Sequence, residues 1–359
     1  MIMLFLRLLA FGVGAFTVIY TVNSAISTLV LPRAVSDRIT RNALRISRRL
    51  FDLRLRKAKT YMDRDHIMAN YAPFSLLMLL PIWLSLVLVA YMALFWSVGG
   101  ADSLHELFLL SGSSLFTLGF AMVHTWPQMI LAFSEAAVGL ILVALLIAYL
   151  PTMYSSFSRR EVAVTKLAVR AGAPPSAQEM LLRFHRIGKL ESLAEFWAEW
   201  ETTFAEIEES HTSLPALVFF RSQQPDLSWL TAAGTVMDAA AIMLSAVDAP
   251  NEPSAALCIR AGYLALQRVA IFFGVQFDPA PIFPAHPISI NRDEFDAMCQ
   301  TLAESGVPLK THMDQAWRDF GGWRVNYDVV LTRLCTITMA PYAPWSSDRS
   351  ALEDVRKSM

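Results

Sequence analysis

Charge is what this sequence has least of. Only 17% of its 359 residues are Asp, Glu, Lys or Arg, against about 25% in an average soluble domain. Three cysteines in such a length exclude a disulfide scaffold. Glycine (15) and proline (18) are too few for a fibrous or linker-like protein. A net charge of −1 excludes the chain-wide basic footprint of a nucleic-acid binder. Apolar residues fill the space, at 55% and a mean hydropathy of +0.41. That excess excludes disorder, which needs the opposite balance.

The shortage of charge is local. From Met1 to Pro32 the one charged residue is Arg7, and from Asn70 to Ser158 there is no Lys or Arg at all. The acids in that second stretch are Asp102, Glu106 and Glu135. Between the two gaps, Arg33 to His66 holds eleven basic residues and four acids. Beyond Arg159 the composition is that of an ordinary soluble protein. A membrane explains such gaps, because a charge at the bilayer centre costs about 2.5 kcal/mol or more.

Three segments are long enough to cross: Leu8–Leu31, Phe74–Ser97 with Pro81 inside it, and Met129–Leu150 with Glu135 inside it. At 1.5 Å per residue they reach roughly 33–36 Å, enough for a hydrocarbon core of about 30 Å. The basic loop marks the cytoplasmic side. The first span then runs inward and the second outward, 98–128 is external, and the third returns inward to Arg159, Arg160, Lys166 and Arg170. Reading the first segment as a cleaved leader would place the eleven basic residues outside and invert everything after them. Trp96 and Trp126 on one side, with Tyr149 and Tyr154 on the other, fit interfacial aromatic belts. Within the loop, Val35, Ile39, Ala43, Ile46, Leu50 and Leu53 recur at helical spacing opposite an arginine-rich face. This is a helix for an anionic leaflet, with Arg33–Arg64 facing lipid headgroups, or one that continues the first span and packs on the C-terminal domain.

The external segment is not hydrophilic. Ser103–Leu110 predicts a short helix with Asp102 or Ser103 as N-cap. Ser111-Gly112-Ser113-Ser114-Leu115-Phe116-Thr117-Leu118-Gly119-Phe120-Ala121 follows. A helix of about ten residues is too short to cross. Non-helical backbone at membrane depth survives where it is buried in protein or lines a watery path. The geometry predicted is a helix that dips in and an extended segment that returns.

At this point the sequence resembles the potassium-channel pore family. Thr117-Leu118-Gly119-Phe120-Ala121 lines up with that family's filter signature, Thr-Val-Gly-Tyr-Gly, over an outer helix, pore helix, filter and inner helix spanning Phe74 to Tyr154. The resemblance implies a homotetramer, with potassium as the permeant ion and no other cofactor or metal. A filter replaces a cation's water shell with backbone carbonyls and a ring of Thr hydroxyls. Thr117 would supply the innermost ring and Leu118, Gly119, Phe120 and Ala121 the positions above. Gly119 permits the backbone alternation that keeps successive carbonyls inward. Ser113, Ser114 and Glu135 are the expected filter supports, the carboxyl reaching one of those two serines. Gly139 sits where the family's inner helices carry a hinge, Pro151 marks the helix exit, and His124 lies at the outer mouth. Two departures stand out. Ala121 replaces the last Gly, at about 1–2 kcal/mol if that position is left-handed. Met122-Val123-His124 follows where the family has an Asp.

The C-terminal part, 155–359, is expected to be an all-helical cytoplasmic domain with its own core. Predicted helices are Arg160–Ala171, Ser176–Leu190, Ser192–Ser210, Trp229–Val247, Ser254–Phe273, Arg292–Ser305 and Tyr327–Met339, punctuated by prolines. Asp238, Arg260 and Arg268 make two apolar helices poor spans and good core elements. No Gly-x-Gly-x-x-Gly follows a strand and no Walker sequence is present. Glu208-x-x-His211 lacks the second copy of a di-iron site and is expected at the surface or as a cap. Glu201, Glu206, Glu208 and Glu209 read as a solvated acidic face, and Cys258, Cys299 and Cys335 as buried or idle thiols.

The expected fold class is an all-α polytopic membrane protein. Its parts are an N-terminal span (1–32), a basic amphipathic cytoplasmic helix (33–72), a pore domain (73–154; 74–97, 103–121 and 129–150) and the helical C-terminal domain. The expected function is a tetrameric cation channel in the cell membrane, with gating influenced by the cytoplasmic domain. The alternative is a membrane-anchored helical signalling or scaffold protein whose loop does not conduct. A transporter is weakened by the lack of an inverted repeat, an enzyme is least supported, and no nucleic-acid partner is expected.

Overall fold

A computed structural model describes residues 1–31, 37–99, 103–190, 193–250 and 252–349. Arg33, Val35 and Asp102 lie outside the described residues. Among those described, the elements are helices, with one isolated bridge between Val247 and Leu309. The chain divides into two units, Met1–Ser155 and Ser156–Met359. Among the described residues, four helical stretches are long and apolar enough to cross a bilayer: Ile2–Leu29, Tyr61–Val98, Trp126–Ala171 and Pro253–Phe272.

The first unit contains α1 (Ile2–Leu29), α2 (Arg38–Leu55), α3 (Tyr61–Ala69), α4 (Tyr71–Leu77), α5 (Leu79–Val98), α6 (Leu104–Leu115) and the start of α7 (Trp126–Ala171). α1 packs along α5 through small and hydroxyl-bearing residues: Gly14, Thr21, Ser24, Ala25 and Ser27 are buried. A side chain at Gly14 would come within 2.9 Å of the Ala90 carbonyl oxygen, so the two backbones approach closely there. Close approach through small residues is how helices associate where hydrophobicity gives no drive. The large residues of α1, among them Phe5, Phe11, Phe16 and Ile19, face outward.

α2 begins at Asp37, whose side chain caps Ile39 N and accepts from Ser24 (2.5 Å) and Tyr20 (3.0 Å) of α1. Trp83 of α5 donates to the same Ser24. This fixes the start of α2 beside the last turns of α1. Its inner face, Ala43, Ser47 and Phe51, is buried, with Phe51 against Tyr71 and Phe74 of α4. Ile46, Leu50 and Leu53 stay exposed.

The second unit adds α8 (Ala177–Arg186), α9 (Ala194–Ser213), α10 (Trp229–Ser245), α11 (Pro253–Phe272), α12 (Arg292–Glu304), α13 (Met313–Arg324) and α14 (Asp328–Thr338). Its core is centred on α10, which is buried along almost its whole length. α11, although apolar enough to span, has Cys258, Ile259, Gly262, Leu266 and Val269 buried in this core. Arg324 crosses the core with both terminal contacts filled: Asp238 at 2.6 and 2.8 Å, Asp328 at 2.7 Å and the Trp345 carbonyl at 2.6 Å.

Beyond shifts at helix ends, such as α6 reaching Leu115 instead of the expected Leu110, three differences from the sequence expectation stand out. The second span is interrupted at Met78, between α4 and α5. α13 was not anticipated, because Gly321 and Gly322 weaken its helical signal. The largest difference is α7. It runs unbroken through Pro151, so 129–150 and Arg160–Ala171 are one helix. Proline removes one hydrogen bond, and the helix continues through the middling formers of 152–158 to the stronger run from Arg159 on.

Candidate functional site

The direction of α6 relative to α7 defines the site. Ser111 of α6 lies 2.5 Å from the Glu135 carboxyl of α7. One turn further along each helix, a side chain at Gly139 would meet the Leu115 carbonyl oxygen at 2.6 Å. Both contacts advance together, so two consecutive helices lie parallel. Helices joined by a short loop ordinarily pack antiparallel. Here the segment 116–125 must climb back along the full length it descended.

α6 starts from a Ser103 cap, the hydroxyl accepting Glu106 N at 3.1 Å. Ser111 also donates to the Leu88 carbonyl of α5 at 2.9 Å, so one hydroxyl joins α5, α6 and α7. Tyr91 of α5 and Ser134 of α7 are 2.9 Å apart beside it. Ser111 and Glu135 are both 0% exposed. The expected partners of Glu135 were Ser113 and Ser114; the structure gives Ser111 instead. Helix periodicity explains the correction, since Ser111 and Leu115 share one face of α6 and that face meets α7. Ser114 bonds within its own helix, to Leu110 O.

Ser113 has the other supporting role. Its carbonyl accepts Leu118 N at 2.8 Å, and its hydroxyl accepts Ala121 N at 3.2 Å. The return segment is thus tied at two points to the helix it leaves. Thr117 has φ 55° and Gly119 φ 73°, whereas Leu118 between them is not left-handed. For Gly119 the conformation is free; for a β-branched threonine it is strained, and such strain gathers at functional sites. Ala121 has no positive φ, so the penalty considered for an alanine there does not arise.

The side chains of Phe116, Leu118, Phe120 and Met122 are more than half exposed. His124 is exposed as well. The loop is closed by Gln128, which accepts His124 N and Thr125 N and donates to Gly99 O at 2.8 Å. Gln128 and Ser111 carried no motif that would single them out; their burial is what marks them. Gly139 lies in uninterrupted helix, as the point where α7 touches the end of α6. Trp126 and Tyr154 are exposed, whereas Tyr149 is buried.

In the second unit, Arg160 on α7 is buried with all five N–H groups matched. It bonds Glu161, the Leu217 and Phe220 carbonyls, and His211 Nε2 at 3.1 Å. His211 is therefore an acceptor at Nε2, with Nδ1 facing Ser210 Oγ. Burial and the neighbouring guanidinium hold its pKa well below 6.5. His211 is thus a core residue, not the surface or capping residue expected, and Glu208 pairs with Arg268. Among the described residues no cluster suits a metal ion. The three cysteines are buried, and burial pushes the Cys299 and Cys335 thiols up to about 12. Comparison with protein families, curated proteins and solved structures finds no match to this chain.

Proposed function

We propose that four copies of this chain assemble a cation-conducting pore, with 117–121 of each copy forming the ion path. The carrying observation is the parallel pair α6 and α7 with a return segment of alternating handedness between them. A loop brought back to its starting level has reason to exist where its carbonyls face an ion. The Thr117 hydroxyl and the carbonyls of Thr117, Leu118, Gly119 and Phe120 replace the water shell, and potassium is the ion by resemblance. The C-terminal end of α6 points its negative dipole at the same place. A single copy leaves Leu118 and Phe120 bare. A bare apolar patch at a loop is a contact surface for further copies.

In this reading the basic segment is cytoplasmic and so is the second unit. α2 then lies on the inner leaflet. Its exposed stripe of Ile46, Leu50 and Leu53 borders Arg38, Arg45, Arg49 and Arg56, none of which forms a salt bridge among the described residues. Acyl chains suit the stripe and anionic headgroups the arginines. The second reading, a membrane-anchored helical scaffold, is favoured by the exposed loop side chains only if no ring forms.

The test is flux from potassium-loaded liposomes containing the purified chain, together with its oligomeric state. Fourfold assemblies with potassium flux that Gly119→Asp abolishes are expected. A monomer or dimer, or tetramers without flux, would overturn the pore.

A further inference from the structure

The hydroxyl of Ser111 meets two oxygens with one hydrogen of its own. It lies 2.9 Å from the Leu88 carbonyl oxygen of α5 and 2.5 Å from Glu135 Oε1 of α7. Oxygens this close need a hydrogen between them. A serine hydroxyl brings one hydrogen and two lone pairs, and a backbone carbonyl brings none. With the Ser111 hydrogen on Leu88 O, the hydrogen of the shorter contact belongs to Glu135. An ionised carboxylate has none to give.

The surroundings of Glu135 agree with that count. The residue is 0% exposed within a single copy, so lipid and further copies do not reach it. Its other oxygen, Oε2, has no partner among the described residues. A buried carboxylate with a bare oxygen is costly unless a cation offsets it. No Lys or Arg occurs between Asn70 and Ser158, and Oε1 has Ser111 as its partner. The titratable group beside it is Tyr91 of α5, whose hydroxyl is matched by Ser134 of α7. As a neutral acid, Glu135 leaves bare only the oxygen of an uncharged carbonyl.

We infer that Glu135 is a bound-proton site: a neutral carboxylic acid that donates to Ser111 Oγ, which donates in turn to Leu88 O. The relay runs from α7 through α6 to α5, and one proton completes it. Without that proton Ser111 has one hydrogen for two acceptors, and one of the two helix contacts is given up. Glu135 is thus a positioning residue that holds α6 by hydrogen bonding and adds no charge beside the return segment. The site stands independently of whether the loop conducts.

The test is infrared difference spectroscopy of the full chain in lipid nanodiscs in neutral buffer, native minus Glu135→Gln. The C=O stretch of a protonated carboxylic acid is expected in the native chain and is lost in the variant. Ser111→Ala removes the acceptor and moves that band to higher frequency. Ser114→Ala, whose hydroxyl bonds Leu110 O instead, leaves it in place. The Ser111→Ala shift decides the matter if the Glu135 variant does not fold. A native spectrum without the acid band, a carboxylate stretch lost in its place, or a band indifferent to Ser111→Ala overturns the site. The readout is vibrational and needs no flux, so its failure is separate from failure of the pore.

Discussion

The first helix and the second unit bury opposite kinds of residue. Along α1 the inward positions are Gly14, Thr21, Ser24, Ala25 and Ser27, while Phe5, Phe11 and Phe16 face out. In the second unit Trp197, Phe204, Phe295 and Phe320 are fully inside. Water explains the second pattern, because burying an aromatic ring removes a large apolar surface from it. It cannot explain the first. An apolar solvent can: it gives large side chains nothing to flee, and leaves close backbone contact and hydrogen bonding to hold helices together. Ser24 and Ser111 join neighbouring helices in the first unit. The second unit instead holds buried charge, in an ionic knot around Arg324 and a second cluster around Arg160.

That contrast can be broken in four places, taken from the largest effect down. Arg324→Ala strands Asp238 and Asp328 in the core, and the second unit should lose about 3–5 kcal/mol. Chemical denaturation of the reconstituted chain, followed by tryptophan emission, would read this; a loss under about 1 kcal/mol would deny the knot its role. Gly139→Leu drives a side chain against the Leu115 carbonyl, with an expected cost of about 1–3 kcal/mol. Potassium flux should fall with it, while Gly12→Leu, where nothing lies within 4 Å, leaves flux unchanged.

The third place is His211, and its effect depends on pH. Its pKa is depressed in the fold, so the unfolded chain takes up the proton first. Its contribution is fully present above pH 6.5, the unfolded value, and declines as pH falls below it. Melting curves between pH 7.5 and 5 should show the decline, with a shallower slope in His211→Gln; equal slopes would remove His211 as the cause. The smallest effect is expected at Phe16→Ala. On the outward face of α1 it should change stability in lipid by no more than about 0.5 kcal/mol. The same change at Phe320 should cost about 3–5 kcal/mol. If the two were equal, the inside-out reading of α1 would fail.

Much of the first unit could be read in advance, because a run without charge and a basic loop are signals of composition and need no tertiary knowledge. The short helix, the return and the following span were legible for the same reason. What the sequence withheld depended on faces. Glu135 was visible, but its partner was not, since choosing Ser111 over Ser113 or Ser114 requires knowing which side of α6 meets α7. Gly139 was legible as a special position, and its contact with Leu115 came only from packing. In the second unit the helices were mostly placed, yet Arg160 and His211 are fifty-one positions apart and share no pattern. Burial of a charge by long-range contact leaves no local mark.

Pro151 carries one more consequence. It has no N–H to offer the Ile147 carbonyl four positions earlier, so the ladder of a 46-residue helix lacks one rung at a known place. Water that reaches the backbone of α7 finds an open acceptor there. Deuterium should enter the helix first around Thr152 and spread along it in both directions, as a rope frays from a cut strand.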